Sequence, residues 1–150
     1  MSPAARAHLV VLLSRGAGAY RTTVRRTLDE RGFADVPRSG SWLLTALVRA
    51  PRTGGELAVL LGTSKQGLSR LSDALVERGY LRRSQDPTDH RRVRFALTPR
   101  GRRAAACVSQ AVGQVDRTLE RRAGREATER ARQALAMLFS SADPAEEAPE

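Results

Sequence analysis

Residues 53–98 read TGGELAVLLGTSKQGLSRLSDALVERGYLRRSQDPTDHRRVRFALT, and this stretch decides the fold. It begins with Thr53 and, three residues later, Glu56. At this spacing the Thr oxygen accepts from the amide three residues on, and the Glu carboxylate accepts from the Thr amide. Gly62 ends the helix that begins there, because glycine readily adopts the left-handed conformation of a helix C-terminus. The apolar residues of this first short helix are Leu57, Ala58, Leu60 and Leu61.

A second helix follows after a tight turn. Ser64 is placed to cap its N-terminus, and Gly79 closes it. Two helices joined in this way form a helix-turn-helix, which places its second helix in the major groove of DNA. One face of this recognition helix is apolar and carries Leu68, Leu71 and Leu75.

A short antiparallel hairpin is predicted after the recognition helix. Its strands are residues 80–83 and 92–97, and Asp86 and Pro87 supply the turn chemistry between them. Two helices followed by a hairpin with an Arg-rich tip form a winged helix-turn-helix. The predicted fold class is therefore mainly α with a small β-wing.

Further helices are predicted on both sides of this core. The N-terminal one, at about 4–31, is long for one globular helix, and a shorter one opens at Ser39 or Ser41 and stops before Pro51. Thr98 and Pro99 form a strong start for a long helix, and a last helix covers about 126–139. Terminal helices that flank a DNA-binding core indicate a homodimer in which the helices of two chains interlock.

The sequence predicts a single domain over residues 1–142. Within it we expect a DNA-binding lobe at about 39–103 and dimerisation helices at about 4–31 and 104–140. Residues 143–150 carry four acidic residues and no basic one, and we expect this tail to be disordered.

The charge of the chain is strongly positive and unevenly placed. The formal net charge is +10, and residues 82–103 hold eight arginines against Asp86 and Asp89, a net of +6 in 22 residues. Lys65 is the single lysine, and an Arg-favouring codon bias accounts for that excess of Arg over Lys. The concentration of charge around the predicted wing favours a surface that faces DNA phosphates.

Several classes of protein are disfavoured. We expect a cytoplasmic protein without a membrane span, because the apolar segment 8–13 is short and bracketed by arginines. One cysteine, Cys107, and two isolated histidines, His8 and His90, indicate neither a disulfide nor a metal site. We interpret Cys107 as a small buried residue rather than a redox switch. Without a nucleotide loop, nucleophile elbow or carboxylate cluster, the sequence predicts no cofactor and no enzyme.

The chain resembles the MarR family of winged-helix transcriptional regulators over about residues 39–103. The most specific match is the wing, where the run from Asp86 to Val93 is similar to the family's D-x-R segment and is followed by the L-T-x-x-G of residues 97–101. The stretches 55–58, 61–64 and 71–81 resemble the first helix, the turn and the end of the recognition helix. The resemblance implies a homodimer that binds a pseudo-palindromic operator, most often represses, and is released by a small aromatic or phenolic effector or by an oxidant.

The residues expected to contact DNA lie on the recognition helix and the wing. Since the three leucines turn inward, Lys65, Gln66, Ser69, Arg70 and Asp73 face out. Gln66 suits adenine, Arg70 suits guanine, and Lys65 and Ser64 can hold phosphate. Arg91, the Arg of the D-x-R segment, is expected in the minor groove or on its phosphates. The predicted DNA-binding residues are Ser64, Lys65, Gln66, Ser69, Arg70, Asp89, Arg91, Arg92 and Arg94.

Within this set two subsidiary expectations concern the wing. Asp89 is expected to orient Arg91, and Arg92 and Arg94 to form a basic strand face opposite Val93 and Phe95.

Other interpretations stay open: a solvated helix face, a non-specific architectural DNA-binding protein, or a ligand-insensitive regulator that acts through protein contacts. An effector pocket would lie between the dimer helices and the DNA-binding lobe. Tyr20, Phe33 and Trp42 could line that pocket or belong to the core.

Overall fold

A computed structural model describes residues 8–140, with side chains through residue 138. The helices and strands of this part are α1 Leu9–Glu30, α2 Gly40–Ala46, β1 Arg52–Thr53, α3 Gly54–Leu60, α4 Lys65–Glu77, β2 Leu81–Gln85, β3 Val93–Leu97, α5 Pro99–Ala123 and α6 Arg125–Ser140. The prediction of a mainly helical chain with a small β-wing is confirmed. The first residues of the predicted N-terminal helix, the Phe139 side chain and the acidic tail 143–150 lie outside the described residues.

The chain divides into two compact units. The first ends at Gly113 and contains α1 to α4, the sheet and the beginning of α5; the second begins at Gln114 and contains the rest of α5 and α6. The single domain over 1–142 stays a prediction.

Local caps begin three of the helices, as their sequence signals predict. The Glu56 amide donates to Thr53 Oγ1 at 3.3 Å, and the Thr53 amide donates to Glu56 Oε2 at 2.7 Å, which completes the capping box of α3. These Thr53 donors lower the pKa of Glu56. Ser64 Oγ accepts from the Gly67 amide at 3.0 Å, and Thr98 Oγ1 accepts from the Gly101 amide at 3.0 Å. The helix-turn-helix therefore begins where the sequence places it.

The region after α2 differs from the prediction. The helix ends at Ala46, whereas the sequence extended it towards Pro51. At this end of the helix Arg52 Nε donates to the carbonyl of Ala46 at 3.1 Å. Arg52 and Thr53 form β1, a strand that the sequence analysis missed.

The sheet has three antiparallel strands in the order β1-β3-β2. In the β2–β3 hairpin Leu81 pairs with Leu97, and Gln85 pairs with Val93. On the other side of β3, Arg52 pairs with Phe95. Strand β2 is shifted towards the turn relative to its prediction, because Tyr80 still donates its amide to Leu75 O and belongs to the end of α4.

The core is aliphatic with two buried aromatic rings, those of Tyr80 and Phe95. It joins the C-terminal half of α1, helices α2 to α4, the sheet and the first turns of α5. Its most enclosed side chains include Leu28, Leu43, Leu44, Leu57, Leu75 and Val108. Because these apolar side chains are buried together, α4 keeps one side turned towards the core and leaves the opposite side exposed.

Candidate nucleic-acid interface

Helix α4 presents the face that the sequence predicted. Leu68 and Leu75 are buried and Leu71 is partly buried. The outward side chains are those of Lys65, Gln66, Ser69, Arg70 and Asp73, all of them exposed. This inward and outward assignment is confirmed, and the exposed set combines two cations with hydrogen-bonding groups.

Gly67 has a local packing reason for its place in the first turn of α4. A Cβ atom there would lie 3.2 Å from Ser64 Oγ and 3.2 Å from Thr63 Oγ1. The same Ser64 oxygen accepts from the Gly67 amide. A side chain would therefore crowd the cap that begins the recognition helix.

The wing is organised around a buried carboxylate. Asp86 Oδ1 accepts from the Thr88 amide at 2.9 Å and from Thr88 Oγ1 at 2.6 Å, and Asp86 as a whole is 6% exposed. These hydrogen bonds, with Arg94 beside them, lower the pKa of Asp86. Asp86 is buried, but its lowered pKa keeps it ionised, which is the opposite of what a general acid needs.

Arg94 is turned towards this carboxylate. Its Nε lies 3.3 Å from Asp86 Oδ2, is itself buried, and is not aligned for a hydrogen bond. The predicted alternation along β3 is therefore wrong at two positions. Arg94 does not stand on a free basic face, and Val93, expected to pack, is exposed. Arg94 differs from the prediction because the wing places it beside the buried Asp86 carboxylate.

The tip of the wing is held by its own backbone. Asp89 Oδ1 accepts from the Arg91 amide at 3.0 Å, and Asp89 O accepts from the Arg92 amide at 2.9 Å. Asp89 thus orients Arg91 through the main chain. The side chains of Arg91 and Arg92 are exposed, so both guanidinium groups can reach a ligand outside the protein.

A groove of about 520 Å³ lies between α4 and the sheet. Its polar lining includes Lys65 and Ser69 from α4 and Arg92 from the wing, which the structure brings together. The other predicted residues of α4, the wing tip and β3 lie outside this lining: Ser64, Gln66, Arg70, Asp89, Arg91 and Arg94. On one wall Arg83 pairs with Asp73, and the Arg83 guanidinium lies 5.9 Å from the centroid of the Phe95 ring.

The eight arginines of residues 82–103 divide into two groups. Three pair with aspartates: Arg83 with Asp73, Arg94 with Asp86 and Arg100 with Asp35. Over residues 8–138 no ion pair involves the side chains of the other five, Arg82, Arg91, Arg92, Arg102 and Arg103. The sequence showed the density of charge but not these pairings, because their aspartates come from distant segments as well as from the wing.

A second cavity of about 590 Å³ lies between α1 and the start of α2. Its basic lining comprises Arg21, Arg25, Arg26 and Arg38. The aromatic residues considered for an effector pocket do not line it: Phe33 and Trp42 pack against the core, and Tyr20 is half-buried on α1. Cys107 is also half-buried against the core.

The described residues form neither a metal site nor a membrane span. Over residues 8–140 no three His, Cys, Asp or Glu side chains come together in a way that could hold a metal ion. No helix in that range is both long and apolar enough to cross a membrane.

Comparison with known proteins agrees with this geometry. The model of the MarR family matches residues 34–92, which cover α2 to α4 and the tip of the wing. The match lies on the winged-helix segment, where the sequence motifs also resemble the MarR family. The resemblance inferred from the motifs is thereby confirmed, and the class it names is that of transcriptional regulators rather than enzymes. A search of curated proteins found no match.

Solved structures share the MarR fold along most of the chain. MepR of S. aureus, in complex with DNA, is 19% identical with a TM-score of 0.76, covering 91% of this chain and 99% of its own length. CouR, a transcriptional repressor bound to a 23-mer DNA duplex, is 24% identical with a TM-score of 0.72, covering 88% of this chain and 92% of its own. The reduced form of MarR from E. coli is 22% identical with a TM-score of 0.70, covering 88% of this chain and 96% of its own.

Proposed function

We propose that this chain is a sequence-specific DNA-binding transcriptional regulator. The observation that carries the proposal is the exposed face of α4, beside a wing whose Arg91 and Arg92 make no ion pair within residues 8–138. A surface with unpaired cations binds phosphate, and varied hydrogen-bonding groups on a helix can read base edges. The DNA complexes of the structurally similar MepR and CouR support this use of the fold.

Each exposed residue of α4 has a distinct task in this proposal. Gln66 and Arg70 are one turn apart and read base edges, since an amide is complementary to adenine and a guanidinium to guanine. Lys65 and Ser64, at the start of the helix, hold phosphate together with its N-terminal amides. Ser69 is placed to contact either a base or the backbone, and Arg91 enters the minor groove or holds its phosphates.

Arg92, Asp89 and Arg94 support these contacts in different ways. Arg92 lies at the groove beside α4 and contacts phosphate. Asp89 fixes the backbone at Arg91. Arg94, which faces Asp86, acts by holding the wing rather than by meeting DNA.

The protein acts as a homodimer on a pseudo-palindromic operator and represses. Two helix-turn-helix units bind half-sites about 34 Å apart, so a dimer converts two modest contacts into one specific site. Each unit offers apolar surface for such a partner. Helix α1 exposes Leu9, Val10, Val11 and Leu12, and the second unit exposes Leu119, Met137 and Leu138. Light scattering on the purified chain should give twice the monomer mass, and a monomer mass would contradict the dimer.

A small aromatic or phenolic effector is part of the same proposal. The cavity between α1 and α2 has a volume suited to a compact organic molecule. Isothermal titration with simple phenolic acids, in the presence and absence of DNA, tests whether binding of the two ligands is coupled. Equal affinity in both titrations would mean that the compound does not release DNA.

The test of sequence-specific binding is a titration by fluorescence anisotropy. DNA from upstream of the protein's own gene is compared with a shuffled duplex at several salt concentrations. We expect a preference for the natural duplex of about 10³-fold or more at physiological salt. The Arg91→Ala variant should bind both duplexes more weakly. Equal binding to both duplexes, with the same steep salt dependence, would instead indicate an architectural protein.

A further inference from the structure

The C-terminal end of the recognition helix is joined to a cluster of three side chains, Asp35, Tyr80 and Arg100, which we call the Asp35 cluster. The buried Tyr80 donates its hydroxyl to Asp35 Oδ1 at 2.5 Å. Arg100 Nη2 donates to Asp35 Oδ1 at 3.1 Å and to Oδ2 at 3.0 Å. The same nitrogen lies 3.1 Å from the Tyr80 oxygen, so each member contacts the other two.

The cluster is attached directly to α4. Arg100 Nη1 donates to the carbonyl of Arg78, the C-cap residue of the helix, at 3.0 Å. The Arg100 guanidinium also lies over the Tyr80 ring, 4.5 Å from its centroid. The last carbonyls of a helix have no partner within the helix. Arg100 supplies one for the Arg78 carbonyl and so joins the end of α4 to the first turn of α5.

The loop that carries Asp35 is held from the opposite side by α1. Arg25 Nη1 donates to Val36 O at 2.8 Å, and Arg25 Nη2 donates to Phe33 O at 3.2 Å and to Ala34 O at 3.1 Å. Three hydrogen bonds therefore tie the loop that carries Asp35 to α1. The cluster joins three segments: the α1–α2 loop, the residue after α4, and α5.

The surroundings of Tyr80 and Asp35 favour the protonation state in which each one makes these hydrogen bonds. Burial, and then the Asp35 carboxylate, raises the pKa of Tyr80 to about 12, so the phenol remains a donor. The Tyr80 hydrogen bond, with Arg100 nearby, lowers the pKa of Asp35. At neutral pH the cluster is thus a carboxylate held by a neutral phenol and a guanidinium.

We propose that Asp35, Tyr80 and Arg100 are positioning residues for DNA reading: they fix the orientation of the recognition helix from the end that does not meet DNA. This inference rests on the proposed function. Helix α4 runs from Lys65 to Glu77, so at 1.5 Å per residue its first turn lies about 18 Å along the axis from its anchored C-terminal end. A small tilt at the anchored end displaces Gln66 and Arg70 at the other.

The test compares Tyr80→Phe and Arg100→Met with the wild type in the same anisotropy titration. Tyr80→Phe retains the ring and removes the hydroxyl alone, so it should fold. We expect each variant to lose about tenfold of the preference for natural over shuffled DNA, which corresponds to about 1.4 kcal/mol. The dependence of affinity on salt should stay unchanged, because no phosphate contact is lost.

Arg102→Met is the matched control. It removes the same charge two residues further along α5, where Arg102 donates to Leu97 O at 3.1 Å, and within residues 8–138 no side-chain hydrogen bond or ion pair joins it to α4. We expect its preference for natural DNA to equal that of the wild type. Arg100→Lys, which retains the charge without the planar fork, should restore only part of what Arg100→Met loses.

A purely structural role would give a different pattern. Melting temperatures would fall for Tyr80→Phe and Arg100→Met, while the preference, measured well below those temperatures, stayed at the wild-type value. That result would overturn the inference, as would a lower salt dependence for Arg100→Met. If the wild type itself showed no preference, the proposed function would fail first, and the inference with it.

Discussion

The two ends of helix α4 contrast in how their charges are satisfied. At the N-terminal end Lys65, Gln66 and Arg70 are exposed and the nearby wing carries Arg91 free of ion pairs within residues 8–138. At the C-terminal end Arg100 is bonded to Asp35, to Tyr80 and to the helix carbonyl of Arg78. Arg91 is thus left available near one end of the helix, whereas Arg100 is bonded to three partners at the other.

This difference shows why local charge density is a poor guide to a binding surface. An arginine that already holds a carboxylate has less to offer a phosphate, because a new contact must replace an existing one. The basic stretch of residues 82–103 therefore contributes fewer free cations than its sequence suggests. Its paired members shape the wing and anchor the helix instead.

The largest expected effect is a loss of stability from a substitution at the anchored C-terminal end of α4. A Cβ at Gly101 would lie 2.0 Å from Tyr80 O, a backbone atom that cannot move aside. We expect Gly101→Ala to lower the free energy of unfolding by about 3 kcal/mol or more, as measured by urea denaturation. Gly16→Ala is the control, since nothing lies within 4 Å of a Cβ there and alanine suits the interior of α1. A Gly101→Ala protein as stable as the wild type would contradict the close approach of α5 to Tyr80.

The next largest effect is expected when a base contact is removed from the exposed face of α4. Arg70→Ala should cost about 1–3 kcal/mol of discrimination at one base pair, because a guanidinium binds guanine through two hydrogen bonds. Anisotropy titrations against duplexes substituted at each position locate that base pair. Asp73→Ala, one turn further along α4 and paired with Arg83, is the comparison and should not relax the same position. Unchanged discrimination in Arg70→Ala at every position would remove Arg70 from the interface.

Two caps with the same geometry sharpen the comparison. Thr53 Oγ1 accepts from the Glu56 amide in α3, and Ser64 Oγ accepts from the Gly67 amide in α4. We expect Thr53→Ala and Ser64→Ala each to lower the free energy of unfolding by about 1 kcal/mol. Only Ser64→Ala should also weaken DNA binding, since Ser64 begins the recognition helix. Equal DNA affinity for the two variants would show that Ser64 serves as a cap alone.

The smallest effect concerns acid stability of the wing. The pKa of Asp86 is lowered in the folded protein, so its stabilising contribution is present above the unfolded value of 3.8 and is lost as pH falls through the folded value. Asp86→Asn should therefore be less stable than the wild type at about pH 6, and the difference should shrink below about pH 4. Thermal melting at both pH values measures it, with the exposed Glu77→Gln as the control. A difference that persists undiminished in acid would mean that ionisation of Asp86 is unimportant.

The sequence predicted those features that local chemistry determines. The caps at Thr53 and Ser64 were predictable because donor and acceptor lie three residues apart. Strand β1 was missed since two residues carry no periodic pattern, and only pairing with β3 defines them. The Asp35 cluster was missed for a related reason: Asp35 and Arg100 are 65 residues apart, and nothing near either of them indicates the other. Arg94 was misplaced because its burial depends on how the wing closes on Asp86.

Hydrogen exchange, measured by mass spectrometry with and without the natural upstream duplex, tests the contrast between the two ends most directly. Amide exchange reports where the protein is shielded or stiffened by a ligand. We expect DNA to slow exchange in residues 64–70 and 86–92 and to leave residues 98–103 unchanged. Protection concentrated around residues 98–103, or bound DNA without any change at 64–70, would contradict it.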